Sequence, residues 1–136
     1  MPVAVLVVDG ANVVGSRPDG WWRDRPGAAA RLAGRLATAL VAGPTSTADV
    51  AADVDRIVLV LEGAARAASP DPADGLEVVR AAGDGDSTIV DVTAELTGSG
   101  ASVVVVTADR LLRQRVEDVG ARVAGPGTLL RTLDAL

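Results

Sequence analysis

The chain contains no histidine, no cysteine, no lysine, no phenylalanine and no tyrosine. Each absence closes off chemistry. Without His and Cys, no Ser-His-Asp or Cys-His nucleophile can be assembled within one chain. No disulfide framework and no thiolate zinc site can form. Imidazole cannot serve as acid or base, so a catalyst built from this sequence must work through carboxylates. The only aromatic residues are Trp21 and Trp22, so a core must be packed from Val, Leu, Ile and Ala. All 13 basic residues are Arg. With the richness in Ala and Asp, that is the mark expected of a GC-rich bacterial genome rather than of a mechanism.

What is present fits one ordinary domain over residues 1–136, since 136 residues can bury a real core and 49% of them are apolar. No apolar run approaches the length of a membrane span. The opening apolar stretch runs into Asp9 with no basic residue before it, unlike a secretion signal. The expectation is a soluble, cytoplasmic protein with no membrane partner. The formal net charge of −5 argues against indiscriminate nucleic-acid binding, which depends on neutralising phosphates, but leaves room for a local basic surface.

Apolar runs without polar alternation occupy residues 2–8, 56–61 and 102–106, with shorter ones at 76–79 and 121–124. Such runs suit strands buried on both faces, as in parallel α/β domains. Helical periodicity lies between them. Residues 27–41 place Leu32, Leu36 and Leu40 four apart; residues 86–96 align Ile89, Thr93 and Leu96; residues 109–119 align Leu112, Val116 and Val119. Gly120 stops the last of these, and Pro126 opens a final helix to residue 136. Residues 15–26, 43–55 and 67–75 read as loops. The order β-α-β-β-α-β-α-β-α predicts a doubly wound, mostly parallel sheet of four to five strands in an α/β/α arrangement.

In such a sheet the carboxyl ends of the strands share one edge, and ligands bind there. Asp9 ends the first strand, Glu62 the second, and Asp109 follows the fourth, while Asp84 and Asp86 open the helix after the third. These acids would gather on one rim and repel. A divalent cation resolves such repulsion, and Mg²⁺ or Mn²⁺ prefers oxygen ligands. Each acid also has a plainer reading. Asp86 and Asp109 are equally suited to cap helices, Asn12 to cap a turn, Glu62 to be a solvated strand end, and Asp91 to lie on the surface. Asp9 stands apart, because Asp9-Gly10-Ala11-Asn12 ends an apolar strand on two polar side chains.

The segment Val7-Val8-Asp9-Gly10-Ala11-Asn12-Val13-Val14-Gly15 resembles the opening motif of NYN domains, especially the YacP-like branch. Gly83-Asp84-Gly85-Asp86-Ser87-Thr88-Ile89 resembles the acidic start of that family's middle helix. Val106-Thr107-Ala108-Asp109-Arg110 resembles its Thr-Ser-Asp type signature after a late strand. The resemblance spans nearly the whole chain. It implies a PIN-like fold, metal-dependent RNA cleavage, and a carboxylate site carried to Asp9, Asp86 and Asp109, with Asp84 as a further metal ligand. Asn12 and Thr107 would support it, and Glu62, at the end of the second strand, is a further supporting candidate by its position alone. RNA is the implied partner, with ribosome association a further expectation. Two departures stand out: the middle motif offers both Asp84 and Asp86, and the chain is short for the branch, which would reduce RNA- or ribosome-contacting surface.

The loop after the first motif carries Trp21 and Trp22 flanked by Arg23 and Arg25. It could stack bases and meet phosphates, or the Trp pair could pin the loop to the following helix. Arg110 and Arg113 beside Asp109 could contact phosphates or be solvated. Two rivals share the same site residues: a non-catalytic RNA- or ribosome-binding module, and a nucleotide phosphohydrolase. A dinucleotide-binding fold is disfavoured, because Gly10, Gly15 and Gly20 do not make the Gly-x-Gly-x-x-Gly spacing.

Overall fold

The computed structural model describes residues 2–136. Five strands, β1 (Ala4–Asp9), β2 (Arg56–Leu61), β3 (Leu76–Arg80), β4 (Ser102–Val106) and β5 (Arg122–Ala124), form one sheet in the order β3-β2-β1-β4-β5. Every pairing is parallel. The helices are α1 (Gly10–Val14), α2 (Arg25–Ala42), α3 (Gly85–Gly98), α4 (Arg110–Asp118) and α5 (Pro126–Asp134). The α/β fold class expected from the strand and helix order is therefore what the chain adopts. No described helix is long and apolar enough to cross a membrane.

The apolar runs become strands because both faces of the sheet are covered. Leu6, Val8, Ile57, Leu59, Leu61, Val104 and Val106 point to one side, where Val13 of α1, Leu32 and Leu36 of α2, and Leu129 of α5 meet them. Val5, Val7, Val58, Val60, Val103 and Val105 point to the other, onto Ile89 of α3 and Leu112 and Val116 of α4. Full burial of each such side chain is worth about 1.5–3 kcal/mol, so these residues supply the stability that aromatic side chains provide elsewhere.

Four differences from the sequence reading have local causes. The first strand begins at Ala4 rather than residue 2, and α2 begins at Arg25, two residues early, because Asp24 caps it by accepting from the Gly27 amide at 3.0 Å. The helix α1 was not expected; its five residues are too short for periodicity to show. The loops contain single 3₁₀ turns at Trp21–Arg23, Pro44–Thr47 and Gly63–Ala67. The last of these turns is latched to the end of β3. Arg80 donates to the carbonyls of Arg66 and Ala68 at 3.0 and 2.7 Å, and Arg66 donates back to the Ala81 carbonyl at 3.2 Å.

The two ends of the fold are joined by an ion cluster. Asp134, at the end of α5, receives two hydrogen bonds from Arg17 at 2.7 and 3.2 Å and a further one from Arg35 of α2. These guanidinium donors hold its carboxyl at about 2, below the ordinary 3.8. A carboxylate depressed in the folded state contributes stability that is full above its unfolded value and is lost as pH falls through the folded one. Asp134→Asn is thus expected to melt below wild type at neutral pH, with the gap closing as pH drops from 3.8 toward 2. Added salt narrows the gap too, because the cluster is exposed. Melting curves across pH check this; a gap independent of pH contradicts it.

Candidate active site

The strand order reverses between β1 and β4, and the chain leaves their carboxyl ends in opposite directions. Asp9 sits at this switch point, where open parallel sheets leave a crevice. Its backbone ends β1 and its side chain caps α1. One oxygen accepts from the Asn12 amide at 3.3 Å, and the other accepts from the Thr107 hydroxyl at 2.9 Å. Thr107 follows β4 and is fully buried; its hydroxyl oxygen also accepts from the Asp109 amide at 3.2 Å. The Asn12 side-chain oxygen accepts from the Ala108 amide at 2.9 Å. The two loops that diverge from the switch point are therefore sewn together by Asp9, Asn12 and Thr107.

Asp9 is only 7% exposed. Burial raises its carboxyl above the ordinary value, and the nearby Asp86 and Glu62 charges push the same way against the Thr107 and Asn12 hydrogen bonds. Gly10 is what allows the crowding. A Cβ there would stand 2.6 Å from the Val60 carbonyl oxygen, so only glycine lets the start of α1 lie flat against β2.

Asp86 lies in the first turn of α3 and is half-buried. Its carboxyl is also raised, first by burial and then by the charges of Asp109, Glu62 and Asp84, with Arg115 opposing. Asp84 behaves differently. It is the cap of α3, accepting from the Ser87 amide at 2.7 Å and the Ser87 hydroxyl at 3.0 Å, and these bonds lower its pKa. Of the two middle acids, Asp84 is thus committed to the helix end, and Asp86 is the one that senses the rest of the rim. Asp109 is exposed and caps α4, accepting from the Leu112 amide at 2.9 Å.

Glu62 departs from its reading as a solvated strand end. It is half-buried, and its carboxylate accepts from the Gly85 amide at 2.7 Å, tying the end of β2 to the start of α3. That amide is one of the orphan donors of a helix N-terminus, a partnership invisible in sequence because the two residues lie 23 apart. Arg115 was also missed. It sits in the last turn of α4 yet carries the positive charge that both Asp84 and Asp86 feel. Asp91 is exposed, as expected of a surface residue.

Asp9, Glu62, Asp86 and Asp109 all stand on the carboxyl-end rim. Among the described residues, however, no three acidic side chains are gathered closely enough to form a ready-made cation cage. The donors are all oxygen, which suits Mg²⁺ or Mn²⁺ and not a tetrahedral zinc centre. Mg²⁺ commonly keeps several waters and takes only one or two protein carboxylates, so an open, mutually repelling set of acids fits such an ion.

A cleft of about 420 Å³ opens beside this rim, lined by Gly10, Trp21, Arg25, Glu62, Ala65 and Gly83 among others. The Trp21 and Trp22 rings meet edge to face at 5.9 Å. Arg25 lies over Trp21 at 5.3 Å from the ring centroid, and Arg23 over Trp22 at 5.9 Å. Trp21 is half-buried and faces the cleft, whereas Trp22 is 49% exposed. Arg110 is exposed at the first position of α4, next to Asp109.

The domain is an all-parallel, three-layer α/β fold with acids standing around its switch point. The sequence matches no family model and no curated protein. Solved structures of Rae1 (YacP) from Bacillus subtilis share the fold. A tryptophan-to-leucine mutant of that protein superposes with a TM-score of 0.73 at 20% identity, over 98% of this chain and 76% of the other. A second structure of Rae1 gives 0.67 at 18% identity, over 99% and 75%.

Proposed function

We propose that this chain is a YacP-like endoribonuclease of the NYN type, which cleaves RNA phosphodiester bonds at the carboxylate rim with Mg²⁺ or Mn²⁺ and works in the cytoplasm. The observation that carries the reading is Asp9. A buried carboxylate with a raised pKa, fixed by two hydrogen-bond donors at the topological switch point, is costly to keep unless it is used. The motif resemblance supplies RNA as the substrate class, and the shared fold is consistent with it.

In this reading one or two of Asp9, Asp86 and Asp109 would hold the cation directly and the rest through its waters, and the chemistry of the bound ion would be to make water nucleophilic and to neutralise charge on the phosphoryl group. Asp84 serves α3 as its cap and stands behind Asp86. Thr107 and Asn12 fix the Asp9 carboxylate, so that its geometry need not reorganise when substrate arrives. Glu62 holds the first turn of α3, and with it Asp86, against the end of β2. Arg110 and the Arg residues of the Trp loop supply the local positive charge that a chain of net charge −5 needs near a phosphate backbone.

The test is a cleavage assay with single-stranded and structured RNA, run beside nucleoside triphosphates. Internal cleavage of RNA with Mg²⁺ or Mn²⁺, abolished by chelator and restored by adding the cation, is the expected result. Full activity in chelator removes the metal. Hydrolysis of triphosphates without RNA cleavage makes the chain a nucleotide phosphohydrolase. RNA binding with no cleavage under any cation makes it a binding module.

A further inference from the structure

We infer that the cleft beside the rim is a pocket for a single nucleobase of single-stranded RNA, with Trp21 as its stacking wall. This rests on the ribonuclease reading and adds to it a place where sequence or strand character is sensed. Three observations carry it. The cleft and the acidic rim share residues: Gly10 is adjacent to Asp9, and Glu62 lines the cleft while its charge acts on Asp9 and Asp86. A nucleotide bound at the rim would therefore have a neighbouring base within reach of the cleft. The volume of about 420 Å³ accommodates one base with its sugar and excludes a duplex.

The third observation is the state of Trp21. Arg25 over its ring and Trp22 in edge-to-face contact hold the indole in place before any ligand arrives. A braced aromatic wall loses little conformational freedom on binding, and it stacks any base because every base has a π-face. Arg25 lines the same cleft and so offers cation donors to a phosphate beside the stacked base. In a chain whose only aromatics are these two residues, an indole left half-buried at a cleft mouth contributes less to the core than it would fully buried.

Because Trp21 and Trp22 are the only fluorophores of their kind, Trp22→Phe makes Trp21 the sole reporter. Titration of that variant with single-stranded RNA is expected to quench its fluorescence saturably, while an abasic strand of equal length does not. Gly83 lines the cleft, and a Cβ there meets nothing within 4 Å, so Gly83→Phe adds bulk at the cleft without a backbone clash. It is expected to weaken single-stranded RNA binding, read by anisotropy, by about ten- to a hundredfold, the scale of one lost stacking contact. If Gly83→Phe does not fold, quenching in the Trp22→Phe chain decides alone. RNA that binds and is cleaved without quenching Trp21, or that binds Gly83→Phe with unchanged affinity, overturns the pocket and leaves the ribonuclease reading standing. RNA that does not bind at all overturns both.

Discussion

Replacing Asp9 with asparagine is expected to lower RNA cleavage by about 10²- to 10⁴-fold, the scale on which a single catalytic group counts, with no loss of thermal stability in metal-free buffer. Asparagine keeps the size of the side chain. Its oxygen can accept from the Asn12 amide and its NH₂ can donate to the Thr107 hydroxyl oxygen, whose own proton must then turn to another acceptor. What disappears is a charge that the fold disfavours. Burial raises the Asp9 carboxyl above its ordinary 3.8. A raised carboxyl leaves stability intact below its unfolded value and reduces it as pH climbs through the folded value. At neutral pH the wild-type chain therefore carries a penalty that the variant lacks. Asp9→Asn should melt at or above wild type there, and the difference should vanish on acidification below 3.8. Added Mg²⁺ should raise the melting temperature of wild type more than that of the variant, since binding to the native state stabilises it by mass action. Turnover equal to wild type would remove Asp9 from the chemistry; a large drop in melting temperature would make its role structural.

A second large effect is expected at Gly10. Alanine there would drive its Cβ to 2.6 Å from the Val60 carbonyl oxygen, with Leu61 and Leu59 side-chain carbons at 3.1 and 3.3 Å. The leucine ends can give way. The carbonyl cannot, because Val60 belongs to β2, pairs with β1 at Asp9 and with β3 at Val79. Overpacking of this kind costs about 1–3 kcal/mol, and each kcal/mol lowers the melting temperature by about 3–5 °C in a chain of this size. The same displacement moves Asp9, so cleavage should fall with stability. Gly34→Ala is the matched control. Gly34 is exposed in the middle of α2 and its Cβ would meet nothing within 4 Å, so the variant is expected to gain about 0.4–1 kcal/mol. If the two variants melt alike, the tight approach at Gly10 does not govern the fold.

The strands were the most legible part of this chain, because β1, β2 and β4 are buried on both faces and their apolar runs have no competing explanation. The helices α2, α3 and α4 were legible from periodicity, with errors only at the caps. The helix α1 was not, since Asp9 starts it by a capping bond and it ends before a second turn could set a pattern. Asp9 was picked out by contrast with the strand before it. The choice between Asp84 and Asp86 was hidden, because two acids two residues apart look alike until one is seen bonding Ser87. The place of Glu62 depends on a bond to Gly85 across 23 residues, and that of Arg115 on how α3 and α4 pack, neither of which leaves a local trace. The role of the Trp pair was open in the sequence because a stacking wall and a packing anchor have the same composition; the structure sets Trp21 at the cleft and Trp22 outside it.

An open sheet has two unpaired borders, and here each is guarded by different means. The β5 border is only three residues long, too short to template a strand from another molecule. The longer β3 border carries Glu77 and Arg80 exposed among its apolar residues, and Arg80 is engaged with the turn that crosses the strand's end. Short borders and border charges are the devices by which sheet proteins resist edge-to-edge aggregation. The latch of Arg66 and Arg80 therefore does double duty: it shapes one wall of the cleft, and it keeps a sheet made almost wholly of valine, leucine and isoleucine from recruiting its own neighbours.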